Sequence, residues 1–220
     1  MTAPVLQHLL AQPFIQQRYY VSDVDGRTFN GWYGVVLLID LHLFISSVNV
    51  ISFPQSNMGR RLLVADIKLD EHELLRLGTV HLESLGNQQE RQNQLQISQN
   101  VFNFSPATCI LMGDFNFDAH QQENIEQFKA LPNWIDVWAK LIDSENPGFT
   151  YDTEENLMTK ANSRATYRSR IDRIILRSQT MIPVEIQMLG TQPIGTQGQL
   201  NIYPSDHFGL TAVFQKNKIK

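Results

Sequence analysis

Apolar residues recur at helical spacing only at the start of the chain and again near its middle; elsewhere they alternate or form short runs. Val5, Leu6, Leu9 and Leu10 make one face behind Thr2, an N-cap type, and Pro4, which a first turn tolerates. The pattern predicts a helix there. Asp23-Val24-Asp25-Gly26 is a turn signal, and beyond it the period becomes that of strands, over 34–39, 42–53, 61–69 and 74–83. The Gln-rich stretch 88–104 reads as a helix, with Ile97, Val101 and Phe104 at i, i+4 and i+7. A strand at 108–115 follows, then helical or irregular chain over 120–143. Residues 145–168 are polar without a period, which predicts a long functional loop. The last three strands are predicted at 170–177, 184–191 and 207–215. Many strands, few helices and no regular βαβ rhythm predict an α+β fold, a sandwich of two packed sheets with helices outside.

Composition narrows this reading. At 220 residues the chain suits one domain, 1–220, with a core large enough to need no metal or disulfide staple. Its net charge of −4 excludes a protein that coats long duplex DNA, which needs a basic surplus to neutralise many phosphates. Any nucleic-acid contact is therefore local. The single cysteine, Cys109, lies in the apolar run Cys109-Ile110-Leu111-Met112 and reads as a core thiol. One unpaired cysteine favours a reducing compartment, so an intracellular protein of nucleus or cytoplasm is expected. No apolar run approaches the ~18 residues that span a bilayer.

Three strings place polar groups where apolar strands end. In Gly113-Asp114-Phe115-Asn116, Asp114 and Asn116 are two apart, so on a strand both leave one face. A carboxylate can take a proton from water, and an amide can donate to a phosphoryl oxygen. Taken alone, the string also fits a polar turn. An EF-hand calcium loop, suggested by Asp114, Asn116 and Asp118, fails because Ala119 and Ile125 stand where Gly and Glu are required. Ser205-Asp206-His207 opens the last predicted strand, offering a hard metal ligand in Asp206 and a cationic donor in His207. Asp172 interrupts an apolar strand and needs a partner; His207 is the obvious candidate, a pairing that would raise the imidazole pKa, and a structural Asp–Arg bridge is the alternative. His81 ends another strand in Thr79-Val80-His81-Leu82-Glu83-Ser84, where a lone histidine usually packs in a core.

Together, His81-Leu82-Glu83-Ser84, an E-R-x-x-Q-L helix at Glu90, GDFN at Gly113, RIDRIIL at Arg170 and SDHFGL at Ser205 resemble the endonuclease/exonuclease/phosphatase superfamily. Within it the sequence is most similar to the 5′-tyrosyl-DNA phosphodiesterase branch. Phe53-Pro54, Leu131-Pro132-Asn133, Asp136-Val137-Trp138 and Thr150-Tyr151-Asp152-Thr153 add to the likeness, which runs from about residue 3 to 214.

The resemblance implies a four-layer α/β/β/α DNase-like sandwich that hydrolyses phosphodiesters with Mg²⁺ or Mn²⁺. It makes Asp114 the group that positions or deprotonates water and Asn116 a phosphate ligand. His207 stabilises the transition state, Asp172 orients it, His81 contacts phosphate and Asp206 sits at the metal. Tyr151, Arg164 and Arg168 are expected to bind substrate, a DNA 5′ end carrying a tyrosine or peptide in DNA repair, with Arg170 and Arg173 as further candidates to line a phosphate channel. Trp134 and Trp138 are expected to pack rather than to stack on bases.

The family's first strand, bearing an Asn, and second, ending in a metal-ligating Glu, have no match here. The resemblance therefore implies a domain without its first two strands that binds divalent metal weakly and is nearly inactive. Asp118 stands where the branch often has Arg, and Tyr151 where it has Trp. Two rivals stay open: another phosphoesterase of the same fold, acting on nucleic acid, phosphoinositides or sphingomyelin, and a non-catalytic binding protein.

Overall fold

The first element of the computed structural model, which describes residues 1–29, 33–103, 108–163, 165–198 and 200–217, is the expected N-terminal helix α1 (Ala3–Leu10). Leu6 is its buried anchor, whereas Val5 is exposed. Two compact units follow from the contacts of the chain, Met1–Gly113 and Asp114–Lys220.

The first unit continues with α2 (Pro13–Arg18), β1 (Tyr19–Val21), β2 (Leu38–Asp40), β3 (Phe44–Ser52), β4 (Arg61–Lys68), β5 (Leu74–His81), α3 (Gln88–Asn103) and β6 (Thr108–Asp114). Strands β3 to β6 are neighbours in that order, and β1 pairs with β2. Alternation on β4 sends Leu63, Ala65 and Ile67 into a core shared with Leu37 and Ile39. Cys109 is fully buried, as its apolar neighbours predict.

Helix α3 corrects the predicted face. Ile97 and Val101 are only partly buried and Phe104 lies outside the described residues; the inner face is Arg91, Gln94, Leu95, Ser98 and Phe102. Polar residues can occupy it because Glu83, itself fully buried, gathers them. The Gln94 amide donates to Glu83 Oε2 at 3.0 Å while its Oε1 accepts the Glu83 N–H at 2.9 Å. Ser56 donates to the same carboxylate at 2.6 Å and the Met58 N–H at 2.9 Å.

Gly113 ends this unit with φ +130°, and a Cβ there would stand 2.0 Å from the Val80 carbonyl oxygen. Only glycine lets β6 pass β5 at that approach.

The second unit contains α4 (Gln122–Phe128), β7 (Ile135–Asp136), α5 (Val137–Leu141), β8 (Tyr151–Asp152), α6 (Leu157–Asn162), β9 (Arg168–Ser169), β10 (Asp172–Arg177), β11 (Met181–Leu189), β12 (Gly195–Gln197), β13 (Leu200–Ile202) and β14 (Gly209–Lys216). The pairs are β10 with β7, β8 with β9, β11 with β14 and β12 with β13, all antiparallel. The stretch 145–168 is thus not a structureless loop. Its order comes from side chains rather than apolar periodicity: Asn156 caps α6 at the Met158 N–H, and Thr153 Oγ1 accepts the Tyr167 N–H at 2.7 Å and donates to the Tyr167 carbonyl at 3.0 Å. Trp134 and Trp138 are buried, as expected of packing residues.

Candidate active site

The turn after β6 is built by alternation of aromatic and polar residues. Phe115 and Phe117 are buried, their rings 5.9 Å apart edge to face, and they anchor a turn whose intervening Asp114 and Asn116 stay partly exposed. The strand stops at Asp114, and Asn116 has φ +55°, a left-handed conformation that Asn tolerates. The expectation that both side chains leave one strand face is therefore corrected: Asp114 Oδ1 instead accepts the Asn116 N–H at 2.8 Å. Asp118 turns its carboxylate into its own turn, bonding the His120 N–H at 2.9 Å and ring Nδ1 at 3.0 Å.

Across this turn, the Phe115 N–H donates to the Ile171 carbonyl at 2.9 Å, which brings the start of β10 alongside. Asp172 there meets His207, Nδ1 to Oδ2 at 2.9 Å. His207 sits ahead of β14 in the turn rather than on the strand, its N–H bonded to Ser205 Oγ at 3.2 Å. Asp114, Asp172 and His207 each offer a ligand atom within 4.8 Å of the others. The ring of Tyr151 stands edge-on to His207 with centroids 5.1 Å apart.

The field of this cluster is negative. Burial disfavours the charged imidazole, but the Asp172 hydrogen bond and charge, with Asp114 and Asp206 behind, hold the His207 pKa up to about 9. At pH 7 only about 1% of such an imidazole is neutral, so it is a donor and not a base. Among the clustered groups, a carboxylate is the one able to take a proton.

An NMR titration of the ring should place its midpoint near pH 9, and Asp172→Asn should bring it down sharply, since burial then acts with less opposition. The raised pKa also stabilises the fold. That contribution is fully present below the unfolded value of about 6.5 and is lost as pH rises through about 9, on the order of 3 kcal/mol in all. An unfolding free energy unchanged between pH 6 and pH 10 would contradict this reading.

The donor set suits a hard divalent cation: carboxylate oxygens of Asp114 and Asp172 in the cluster, and Asp206 close enough for its charge to act on His207. Arg168 is engaged by Asp152 and Glu154, both at 2.9 Å, and its guanidinium lies over the Phe149 ring. Arg170 and Arg173 do not line a channel. Both are buried, on Asp136 at 2.7 and 3.1 Å, and Arg173 also donates to the Phe117 carbonyl at 2.9 Å. Arg173 thereby ties the chain after Asp114 to Asp136. His81 ends β5 in the first unit, its ring 6.0 Å from that of Tyr33, and Arg164 lies outside the described residues. Sequence reasoning missed the buried hydroxyls and amide of Thr150, Asn156 and Thr159, whose type carries no signal until their partners are seen.

The model of the Endonuclease/Exonuclease/phosphatase family matches residues 3–207. Tyrosyl-DNA phosphodiesterase 2 of Bos taurus is 31% identical over 195 residues, 85% of this chain and 50% of that protein. The Homo sapiens protein of the same name is 31% identical over 188 residues, 82% of this chain and 49% of its own length. The chain thus spans about half the length of the curated relatives it matches. Among solved structures, D. rerio TDP2 complexed with single strand DNA product superposes with a TM-score of 0.78 at 26% identity, covering 98% of this chain and 83% of that one. A Staphylococcus aureus beta toxin, at 19% identity and TM-score 0.69 over 90% of this chain and 79% of that one, shares the fold. The α+β sandwich expected from the sequence is the fold of these neighbours.

Proposed function

Because the chain belongs to the endonuclease/exonuclease/phosphatase family, we propose that it is a divalent-metal-dependent phosphodiesterase that cleaves the bond between a DNA 5′ phosphate and a tyrosine. The observation that carries this reading is the junction of Asp114, Asp172 and His207 from three separate segments of the chain. Asp114 orients an attacking water and takes its proton, while Asn116 holds the phosphate. His207, charged at neutral pH, donates to the phosphoryl oxygens as negative charge gathers on them, and Asp172 fixes the ring's orientation and sustains its charge. Asp206, with the clustered carboxylates, would hold Mg²⁺ or Mn²⁺, which when bound supplies Lewis acidity toward the phosphoryl group.

Tyr151, beside His207, offers an aromatic face to the terminal nucleotide or the tyrosine. Arg168 and Arg164 are further proposed contacts with DNA, and His81, in the first unit, is proposed by the family resemblance to contact phosphate. The protein acts inside the cell, where protein–DNA adducts arise.

The test is hydrolysis of a 5′-phosphotyrosyl oligonucleotide with Mg²⁺, with Mn²⁺ and with chelator. The expected result is a slow, metal-dependent release of the 5′-phosphorylated strand, faster than turnover of a phosphoinositide or of sphingomyelin. Preference for either lipid would replace the DNA reading, and no turnover of any probe would leave a binding protein.

A further inference from the structure

Thr150 touches the backbone on both sides of the Asp172–His207 pair. The residue is fully buried. Its Oγ1 accepts the N–H of Ile171 at 3.2 Å and the N–H of Asp172 at 3.0 Å. Its own N–H donates to the Ser169 carbonyl at 3.0 Å, and its carbonyl accepts the N–H of Phe208 at 2.7 Å. These bonds fall where β9 has ended and β10 begins, so a side-chain oxygen stands in for the missing ladder partner. On the other side, the Phe208 N–H bond fixes the residue after His207. The same segment grips the preceding residues: the Asn156 amide donates to the Ser205 carbonyl at 2.9 Å, and the Thr159 hydroxyl donates to the Asp206 carbonyl. Asn156 and Thr159 are also fully buried.

We infer that Thr150 is a positioning residue, which sets the separation of the Asp172 and His207 backbones so that the carboxylate meets imidazole Nδ1, while Asn156 and Thr159 hold the Asp206 side of the turn. A buried hydroxyl that serves two N–H groups cannot be deleted without leaving both unpaired, and they regain partners only by moving. Movement here displaces the start of β10, and with it Asp172. In its kinetic consequences the inference rests on the phosphodiesterase reading; in its structural consequence it does not.

Thr150→Val removes the oxygen at nearly constant shape, Thr150→Ser keeps it, and Thr153→Val deletes a comparably buried hydroxyl that bridges Tyr167 without touching the pair. Thr150→Val is expected to lower kcat about 100-fold with KM changed by no more than about threefold, while Thr150→Ser and Thr153→Val keep kcat within about threefold of the parent. In parallel, the downfield proton NMR signal of the His207 Nδ1–H, assigned by its loss in His207→Gln, is expected to vanish or shift in Thr150→Val and to persist in the other two. Thr150→Ala takes the same readings if Thr150→Val does not fold. A retained signal in the folded variant that lacks the oxygen, or equal kcat losses at Thr150 and Thr153, would overturn the inference. If the parent turns over no probe, the phosphodiesterase reading falls, and the NMR signal alone then decides for or against Thr150.

Discussion

Replacing His207 by alanine should lower the rate of phosphodiester cleavage by roughly a thousandfold, as should replacing Asp114 by alanine, with KM nearly unchanged in both. In the proposed mechanism the two side chains act at different atoms, His207 on the phosphoryl oxygens and Asp114 on the water, so neither substitutes for the other. Asp172→Asn should cost less, about ten- to a hundredfold, because the ring stays in place while its charge and tautomer become less well fixed. The order follows from the field of the site. With its pKa held up to about 9, His207 is already charged at neutral pH, and Asp172 sustains that state. Arg168 should behave differently. Its guanidinium is shared by two carboxylates, so Arg168→Ala should raise KM or lower stability before it touches kcat. Steady-state and single-turnover rates on the 5′-phosphotyrosyl probe, with each variant checked for folding, distinguish these outcomes. Equal, small losses at His207, Asp114 and Asp172 would mean that the motifs are turns and not a site.

What the sequence made legible divides along a physical line. Strands β4, β5, β6 and β10 announced themselves because each buries a continuous or alternating apolar set, and their predicted limits lie within two residues of the observed ones. The candidate site was legible for a related reason: Asp114 and Asp172 are polar groups at the ends of such strands and His207 lies in the turn before β14, all partly buried, and Asp172 finds its partner in His207. Where polar groups satisfy one another in the interior, the periodicity argument fails. Helix α3 turns Arg91 and Gln94 inward because Glu83 and the chain around it receive them, and a hydrophobic pattern cannot register that. The stretch 145–168 owes its short strands and helix to Thr150, Asp152, Thr153 and Asn156, residues that read as loop in any composition count. The hairpin of β12 and β13 escaped notice because it buries almost nothing, leaving Ile194 and Leu200 exposed beside it. Charge direction is the other blind spot. Arg170 and Arg173, expected as candidates to line a phosphate channel, are buried struts, because Asp136, more than thirty residues away in sequence, faces them.

Asp136→Ala should therefore destabilise the second unit by about 3–5 kcal/mol, among the largest effects a single substitution outside the Asp114–His207 cluster can have. The carboxylate stands between two guanidiniums whose side chains are 5% and 0% exposed, taking Arg170 through both oxygens at 2.9 and 2.7 Å and Arg173 at 3.1 Å. It also caps α5, accepting the Trp138 N–H at 3.0 Å. Deleting it leaves two buried cations facing each other, and burial already pushes the Arg173 pKa down to about 10 against the pull of Asp136. A cap alone is worth about 1 kcal/mol, so Asp136→Asn, which keeps an acceptor but not the charge, should recover only that part of the loss. The exposed pair of Asp25 and Arg27 supplies the contrast: Asp25→Asn should change stability by less than about 1 kcal/mol, because solvent screens both partners. Trp134 and Trp138 are buried on either side of Asp136, so their fluorescence reports unfolding at the right place. A loss of about 4 kcal/mol corresponds to a Tm lowered by roughly 10 °C in a chain of this size. Because Arg173 also holds the Phe117 carbonyl, the damage should reach the Asp114–Asn116 turn, and a folded Asp136→Asn protein should lose catalytic rate before it loses metal-independent affinity for DNA. An Asp136→Ala protein as stable as the parent would show that the arginines find other partners, and that the strut beneath the site is not electrostatic.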